Sequence, residues 1–233
     1  MRSLSLVIPA YGAGDLLRGI LSHVAALRDV AAGCEFSLVE VIVVDDGTVP
    51  PLKVDGCWPD VDGVELRVLR NDRNMGKGYS VRRGALAAKG GWVLMSDADE
   101  SAPLVEFVKL AQFSDRAVVC GSRRGGRDAR PFHRRALSWL FNLLTGTGLK
   151  DTQCGFKLFN MELMRPAFEA QRTERFAFDV ELIRSAPSAV EVPVEWKGGR
   201  RSTLKVWRDA PRMLWDLLRI RCYCRATVQD VPG

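Results

Sequence analysis

The sequence has little of what zinc centres and disulfide frameworks are built from. Only two histidines occur, His23 and His133, and none of the six cysteines (Cys34, Cys57, Cys120, Cys154, Cys222 and Cys224) forms a CxxC pair. A zinc site is therefore not expected. The scattered cysteine spacing reads as reduced thiols in a cytosol-facing protein. Long apolar runs are missing as well. A membrane-crossing helix needs roughly 18 to 20 apolar residues, and no stretch approaches that. The first apolar run, Leu4 to Tyr11, is short and broken by Pro9, which does not fit a secretory leader. The expectation is a cytoplasmic chain that is soluble or lies on a membrane surface.

What is present suffices for one good-sized domain. The chain has 233 residues, 47% hydrophobic and 27% charged, enough for a real core and too apolar for wholesale disorder. The formal net charge is +6 and the pI is near 9.2. Such a balance suits phosphates, lipid head groups or nucleic acid, and equally suits a solvated basic surface.

Strands and helices alternate through the first 120 residues. The apolar runs Leu4 to Pro9, Val39 to Val44, Glu65 to Leu69, Trp92 to Ser96 and Ala117 to Gly121 read as strands. Helices are expected over 14 to 31, 79 to 89 and Pro103 to Phe113, and Pro50 to Gly63 reads as a loop. This alternation predicts an α/β fold with a doubly wound, mostly parallel sheet flanked by helices. Ligands of such sheets bind at the carboxyl ends of the strands. Pro9-Ala10-Tyr11, Asp45-Asp46-Gly47 and Asp97-Ala98-Asp99 all stand at strand ends, so the topology gathers them into one site.

Asp97 and Asp99 are two apart after an apolar strand, and residues i and i+2 of an extended segment point the same way. Mg²⁺ prefers one or two carboxylates plus phosphate oxygens. One of the two aspartates could hold metal while the other holds a ribose or a metal-bound water. Alone, such a pair reads first as a turn; its company at the sheet edge favours a site.

Beyond residue 122 the pattern changes. Arg123 to Arg135 is a loop with six arginines, followed by a helix at about 133 to 146, and Glu191 to Trp196 reads as a short strand. Residues 204 to 224 mix apolar and basic residues. Asp209 is a plausible N-cap there, and Met213, Leu214, Leu217 and Leu218 form a stripe flanked by Arg212, Arg219, Arg221 and Arg225. This amphipathic helix either lies in a lipid interface or packs on the domain. The division expected is a catalytic domain over 1–203, with a donor half (1–121) and an acceptor half (122–203), and an amphipathic segment over 204–233.

Together Leu6-Val7-Ile8-Pro9-Ala10-Tyr11, Val43-Val44-Asp45-Asp46-Gly47, Asn74-Met75-Gly76-Lys77-Gly78 and Asp97-Ala98-Asp99 resemble the GT-A fold of family-2 inverting glycosyltransferases. Gly121-Ser122-Arg123 and Asp151-Thr152-Gln153-Cys154-Gly155-Phe156-Lys157-Leu158-Phe159 resemble the dolichyl-phosphate glucosyltransferase and mannosyltransferase branch, with the glucosyl form nearer. The resemblance covers about residues 4 to 205. It implies transfer of a hexose from a nucleotide sugar (UDP-glucose ahead of GDP-mannose) to a polyprenyl or dolichyl phosphate, with Mg²⁺ or Mn²⁺. It also implies roles by position. Pro9, Ala10, Tyr11, Asp45 and Asp46 line the nucleotide pocket, and Lys77 lies near the nucleotide. Asp97 touches nucleotide or metal, and Asp99 is the main metal ligand. Arg123, Arg134 and Ser138 face the acceptor phosphate, and Asp151 and Gln153 border the sugar. The chain departs from the pattern at Gly12-Ala13, where Asn-Glu is usual, and at Ser101, where the mannosyl enzymes often carry Gln. The glucosyl branch often has a membrane-anchoring helix, which this sequence does not show. The implied location is peripheral, on the cytosolic face of a membrane.

Two acceptor chemistries remain open at this point, beside a non-catalytic module that only binds a nucleotide sugar or a lipid phosphate. A phosphate monoester is largely dianionic at pH 7 and needs no strong base, only positioning by arginines. A sugar or protein hydroxyl needs a carboxylate base, for which Asp179 and Glu181 are the candidates, with a structural role the other possibility. Nucleic acid is not expected, because the arginine loop has no interleaved aromatics apart from Phe132.

Overall fold

The apolar runs become strands covered on both faces. The protein is described by a computed structural model over all residues except 55, 57, 124–144, 198–214, 223 and 225–233. Its strands are β1 (Arg2–Ala10), β2 (Phe36–Asp45), β3 (Glu65–Arg70), β4 (Trp92–Ser96), β5 (Val118–Ser122), β6 (Phe156–Asn160) and β7 (Ala189–Pro193). Its helices are α1 (Gly14–Ser22), α2 (Val24–Gly33), α3 (Lys77–Ala87), α4 (Phe107–Ala111), α5 (Met161–Ala170) and α6 (Phe178–Ser185). One sheet orders the strands β3-β2-β1-β4-β6-β5-β7. Among these strands only β6 runs against its neighbours; the other pairings are parallel.

Alternation along the strands divides the core. Leu4, Leu6 and Ile8 of β1 pack with Leu17, Ile20, Leu27 and Phe107 on one face. Val7, with Ile42 and Val44, packs on the other face against Val81, Phe168 and Phe178. The result is a three-layer α/β/α sandwich, with α1, α2 and α4 on one side and α3, α5 and α6 on the other. The carboxyl ends of β1, β2, β3, β4 and β5 therefore share one edge with the amino end of the reversed β6.

Local differences from expectation have physical causes. Residues 14 to 31 form two helices, because the backbone leaves helical geometry at His23 (φ −96°, ψ 2°). The bend lets both apolar sets, Leu17-Ile20-Leu21 and Val24-Leu27-Ala31, face the same core. Pro103 stays extended (ψ 140°), so its segment opens as a 3₁₀ turn at Leu104–Glu106 before α4. β7 begins at Ala189 and ends at Pro193, level with Ser122, the last residue of β5. Three elements, β6, α5 and α6, escape simple periodicity: β6 has a lysine in mid-strand, α5 contains Pro166, and α6 buries Asp179 and Glu181. The helix expected at 133 to 146 lies almost wholly outside the described residues.

The expected C-terminal helix is described only in part. Residues 215–222 are helical. Leu217 and Ile220 pack against Ala177 and Val180 of the domain, while Trp215 is 62% and Leu218 52% exposed. Among the described residues, no helix is long and apolar enough to cross a membrane.

Candidate functional site

The sheet edge carries a chain of contacts from β2 to β6. The β2 end comes first. Asp45 is 1% exposed. One of its oxygens accepts the Thr48 backbone N–H at 2.9 Å, and the other accepts Leu52 N–H at 3.2 Å and the Arg70 guanidinium. Burial alone would push this carboxyl up; the hydrogen bonds of Thr48 and Leu52 and the Arg70 charge outweigh it and hold it below the usual range. Asp46, 4% exposed, accepts the Asn71 side-chain amide at 2.7 Å, Met75 N–H at 2.8 Å and Gly76 N–H at 2.9 Å. Asp46 thus holds the glycine turn that starts α3. Gly76 there has φ 104°, and a side chain would meet the Glu174 carbonyl at 2.6 Å, so only glycine serves.

Lys77 comes directly after that turn and reaches across the edge. Its Nζ is 2.6 Å from Asp97 Oδ1, with the two side chains 21% and 32% exposed. Asp97 stands just past β4, and its N–H donates to the Gly155 carbonyl at 3.1 Å. A Cβ on Gly155 would collide with the Asp97 carboxylate. The glycine before β6 is therefore what gives Asp97 room. Asp99 accepts from Ser101 N–H at 3.1 Å and from Ser101 Oγ at 2.7 Å, both on Oδ1. Ser101, which stands in place of glutamine, orients Asp99.

Asp97 and Asp99 fit a hard divalent cation by the chemistry of their donors. Both are carboxylates, both are partly exposed, and Asp97 already faces a cation. Among the described residues, no three His, Cys, Asp or Glu side chains gather as a metal cluster. An ion held here would draw on ligand oxygens, as Mg²⁺ does in phosphate sites.

On the far side, Arg123 stands just past β5 and forks onto Asp151. Its backbone N–H donates at 3.1 Å and its Nε at 2.7 Å to Asp151 Oδ2, and Nη2 donates to Oδ1. The guanidinium also lies over Trp196, 5.3 Å from the ring centroid. Arg123 and Asp151 thus form one unit that ties β5 to the loop before β6. Gln153 keeps a buried side-chain amide nitrogen with no hydrogen-bond partner among the described residues. Arg134 and Ser138 lie outside the described residues.

At the β1 end, Ala10 accepts Asp46 N–H at 2.8 Å, Pro9 pairs with Val44, and Tyr11 is exposed. The departure at Gly12-Ala13 has a structural counterpart. Gly12 has φ 61° and donates its N–H to Thr48 Oγ1 at 3.0 Å, while Ala13 is buried against α1 in the core.

A buried pair lies beneath the site. Lys157, in mid β6, is fully buried, with Nζ 2.7 Å from Asp179 Oδ1 and donating to the Cys154 carbonyl. Burial would lower Lys157, yet the facing Asp179 holds it above its ordinary value. Burial also pushes Asp179 up, against the pull of Lys157 and of Lys77. Glu181 accepts Arg172 N–H at 2.8 Å and Thr173 N–H at 2.7 Å. Both carboxylates considered as bases for a hydroxyl acceptor are therefore engaged in structure. Cys120 and Cys154 flank this pair, and burial pushes both thiols up to about 12, so neither is a nucleophile at neutral pH.

The sequence and the fold have counterparts. The sequence model of glycosyl transferase family 2 matches residues 5–170. A dolichyl-phosphate beta-glucosyltransferase of Dictyostelium discoideum is 32% identical over 240 residues, covering 94% of this chain and 73% of that protein. The Homo sapiens protein of the same name is 31% identical over 243 residues, covering 94% and 75%. Among solved structures, glucosyl-3-phosphoglycerate synthase from Mycobacterium tuberculosis, in complex with Mn²⁺, UDP-glucose and glycerol 3-phosphate, superposes with a TM-score of 0.67 at 16% identity, over 96% of this chain and 81% of that one. Mannosyl-3-phosphoglycerate synthase from Rubrobacter xylanophilus gives 0.63 at 19% identity, over 95% and 73%. At such identities the likeness to the two synthases is one of fold.

Proposed function

The chain belongs to glycosyl transferase family 2, and from that premise we propose that it transfers glucose from UDP-glucose to dolichyl phosphate or a related polyprenyl phosphate. The dolichyl-phosphate beta-glucosyltransferases of Dictyostelium and human support the donor sugar and the acceptor. The observation that carries the acceptor class is the fate of the two candidate bases. Asp179 is paired with buried Lys157 and Glu181 caps two backbone N–H groups. A hydroxyl nucleophile would need a carboxylate to take its proton; a phosphate dianion attacks without one.

Asp97 and Asp99 are the residues that would hold Mg²⁺ or Mn²⁺. Such an ion supplies Lewis-acid stabilisation of the nucleoside diphosphate as it leaves. The Mn²⁺ and UDP-glucose of the tuberculosis synthase are in keeping with this. Pro9, Ala10 and Tyr11 would border the nucleotide, with Asp45 and Asp46 shaping the loops around it. Gln153, with its unshared amide donor, would serve a sugar hydroxyl. Arg123, its fork held by Asp151, would lend its permanent charge beside Arg134 and Ser138 in orienting the acceptor phosphate. Residues 1–121 then act as the donor half, 122–203 as the acceptor half, and 204–233 as a surface segment. Trp215 and Leu218 stand exposed beside exposed Arg219 and Arg221, a pattern suited to an anionic lipid interface on the cytosolic face.

The test is transfer of radiolabelled glucose from UDP-glucose into an organic-extractable lipid, with dolichyl phosphate and either Mn²⁺ or EDTA, beside a GDP-mannose arm. Metal-dependent glucosyl-lipid is the expected product. Mannosyl-lipid alone overturns the donor, and labelled product only with a hydroxyl acceptor overturns the acceptor.

A further inference from the structure

We propose that Lys77 is a built-in occupant of the metal site, holding Asp97 until a nucleoside diphosphate arrives and thereby making metal binding dependent on the diphosphate. The proposal rests on the assignment of Asp97 and Asp99 as the metal carboxylates. The Lys77 ammonium is 2.6 Å from Asp97 Oδ1, the position from which a cation neutralises that oxygen. A divalent ion arriving alone must displace it and then tolerate a like charge alongside. A diphosphate removes both obstacles, since it offers the ammonium a new anionic partner.

The construction of the site makes Lys77 the part that moves. Asp97 is hemmed in by Gly155, where even a Cβ would collide with its carboxylate, and its N–H is tied to the Gly155 carbonyl. The backbone of the turn before Lys77 is equally fixed. Asp46 accepts Met75 and Gly76 N–H, and Gly76 sits against the Glu174 carbonyl. A flexible four-carbon stem with an ammonium tip therefore stands on a rigid base. The contact the tip makes is the Asp97 carboxylate, and both side chains are partly open to solvent. Lys77 is thus a positioning residue that couples two ligands, and coupling of this kind is reciprocal. UDP should tighten Mn²⁺ by the same factor that Mn²⁺ tightens UDP.

The experiment follows free Mn²⁺ by electron paramagnetic resonance during titration of the full chain, with and without saturating UDP. Wild type should bind Mn²⁺ weakly alone and at least tenfold more tightly with UDP. Lys77→Met should bind Mn²⁺ alone about fivefold more tightly than wild type, the factor a partly exposed ion pair represents, and its UDP coupling should shrink. Lys77→Arg, which keeps the charge, should retain weak binding of Mn²⁺ alone. Unchanged or weaker Mn²⁺ binding in Lys77→Met, or tightening in Lys77→Arg equal to that in Lys77→Met, overturns the proposal. Thermal denaturation monitors folding, and Lys77→Gln replaces the methionine variant if that one is unfolded. Asp99→Asn separates the two levels. If it binds Mn²⁺ with UDP as wild type does, the metal assignment itself fails; if it loses Mn²⁺ while Lys77→Met shows no tightening, only the role of Lys77 fails.

Discussion

Two acidic pairs stand at strand ends on one edge of the sheet, separated by β1, and have opposite fates. Asp45 and Asp46, after β2, are nearly inaccessible, and each uses both oxygens to hold backbone N–H groups or an arginine. Asp97 and Asp99, after β4, are partly exposed; one faces a lysine and the other accepts only from Ser101 among the described residues. Residue type is the same in both, and both stand at the carboxyl end of a strand. The difference lies in the neighbouring loops. Gly47 and the turn at 74–76 fold back over Asp45 and Asp46, whereas Asp97 and Asp99 open into the edge between Lys77 and Gly155. A carboxylate surrounded by N–H donors is a structural element; one facing a mobile ammonium is available to a ligand.

This contrast can be broken by substitution. The largest effect should come from Asp99→Asn, which removes a charge that several kcal/mol of transition-state stabilisation depends on; glucosyl transfer should fall by about a thousandfold, while the urea midpoint hardly moves. Retained activity would merge the two pairs into one structural class. Next is Asp46→Ala, which strands the Met75, Gly76 and Asn71 donors. It should cost about 3 kcal/mol in urea unfolding, the order expected for orphaned buried donors. Wild-type stability there would mean the turn holds itself. The smallest effect concerns acid. Asp45 has its folded pKa held below the unfolded one, so its contribution to stability is complete above the ordinary aspartate value and is lost as pH falls through the folded one. Urea midpoints of wild type should therefore decline below about pH 4, and the decline should be shallower in Asp45→Asn. Glu40 supplies a parallel contribution. Burial would raise it, but Lys89 N–H, Arg67 and Ser5 hold it low, so the variant's curve keeps part of its slope.

Much of the fold was legible because β-branched and aliphatic runs can satisfy their burial in only one way here, as covered strands. β1, β2 and β4 therefore sit where their apolar runs sit. The stretch from 156 to 185 was not legible, because its elements carry charges inward. Lys157 and Asp179 look like surface residues in a linear reading and become buried only because β6 and α6 meet. The same limit applies within the site. The family resemblance marked Lys77 as a neighbour of the nucleotide, but its contact with Asp97 depends on how α3 crosses the edge of the sheet. No local pattern hinted that Arg123 would fork onto Asp151, 28 residues later.

Composition and pattern alone determined the class of protein: a doubly wound α/β domain with acidic residues at the carboxyl ends of its strands, and a basic surface suited to phosphates. Those properties arise from hydrophobic periodicity and from charge, which are local and additive along the chain. Tertiary structure decided which carboxylates remain open. That choice depends on which donors come within about 3 Å of each oxygen, and donors such as Met75, Thr173 and Lys157 reach their carboxylates only after the chain has folded. Burial without a partner is costly for a charge, so the fold satisfies Asp45, Asp46, Asp179 and Glu181 internally. It leaves Asp97, facing a lysine, as the carboxylate with a partner that can be exchanged.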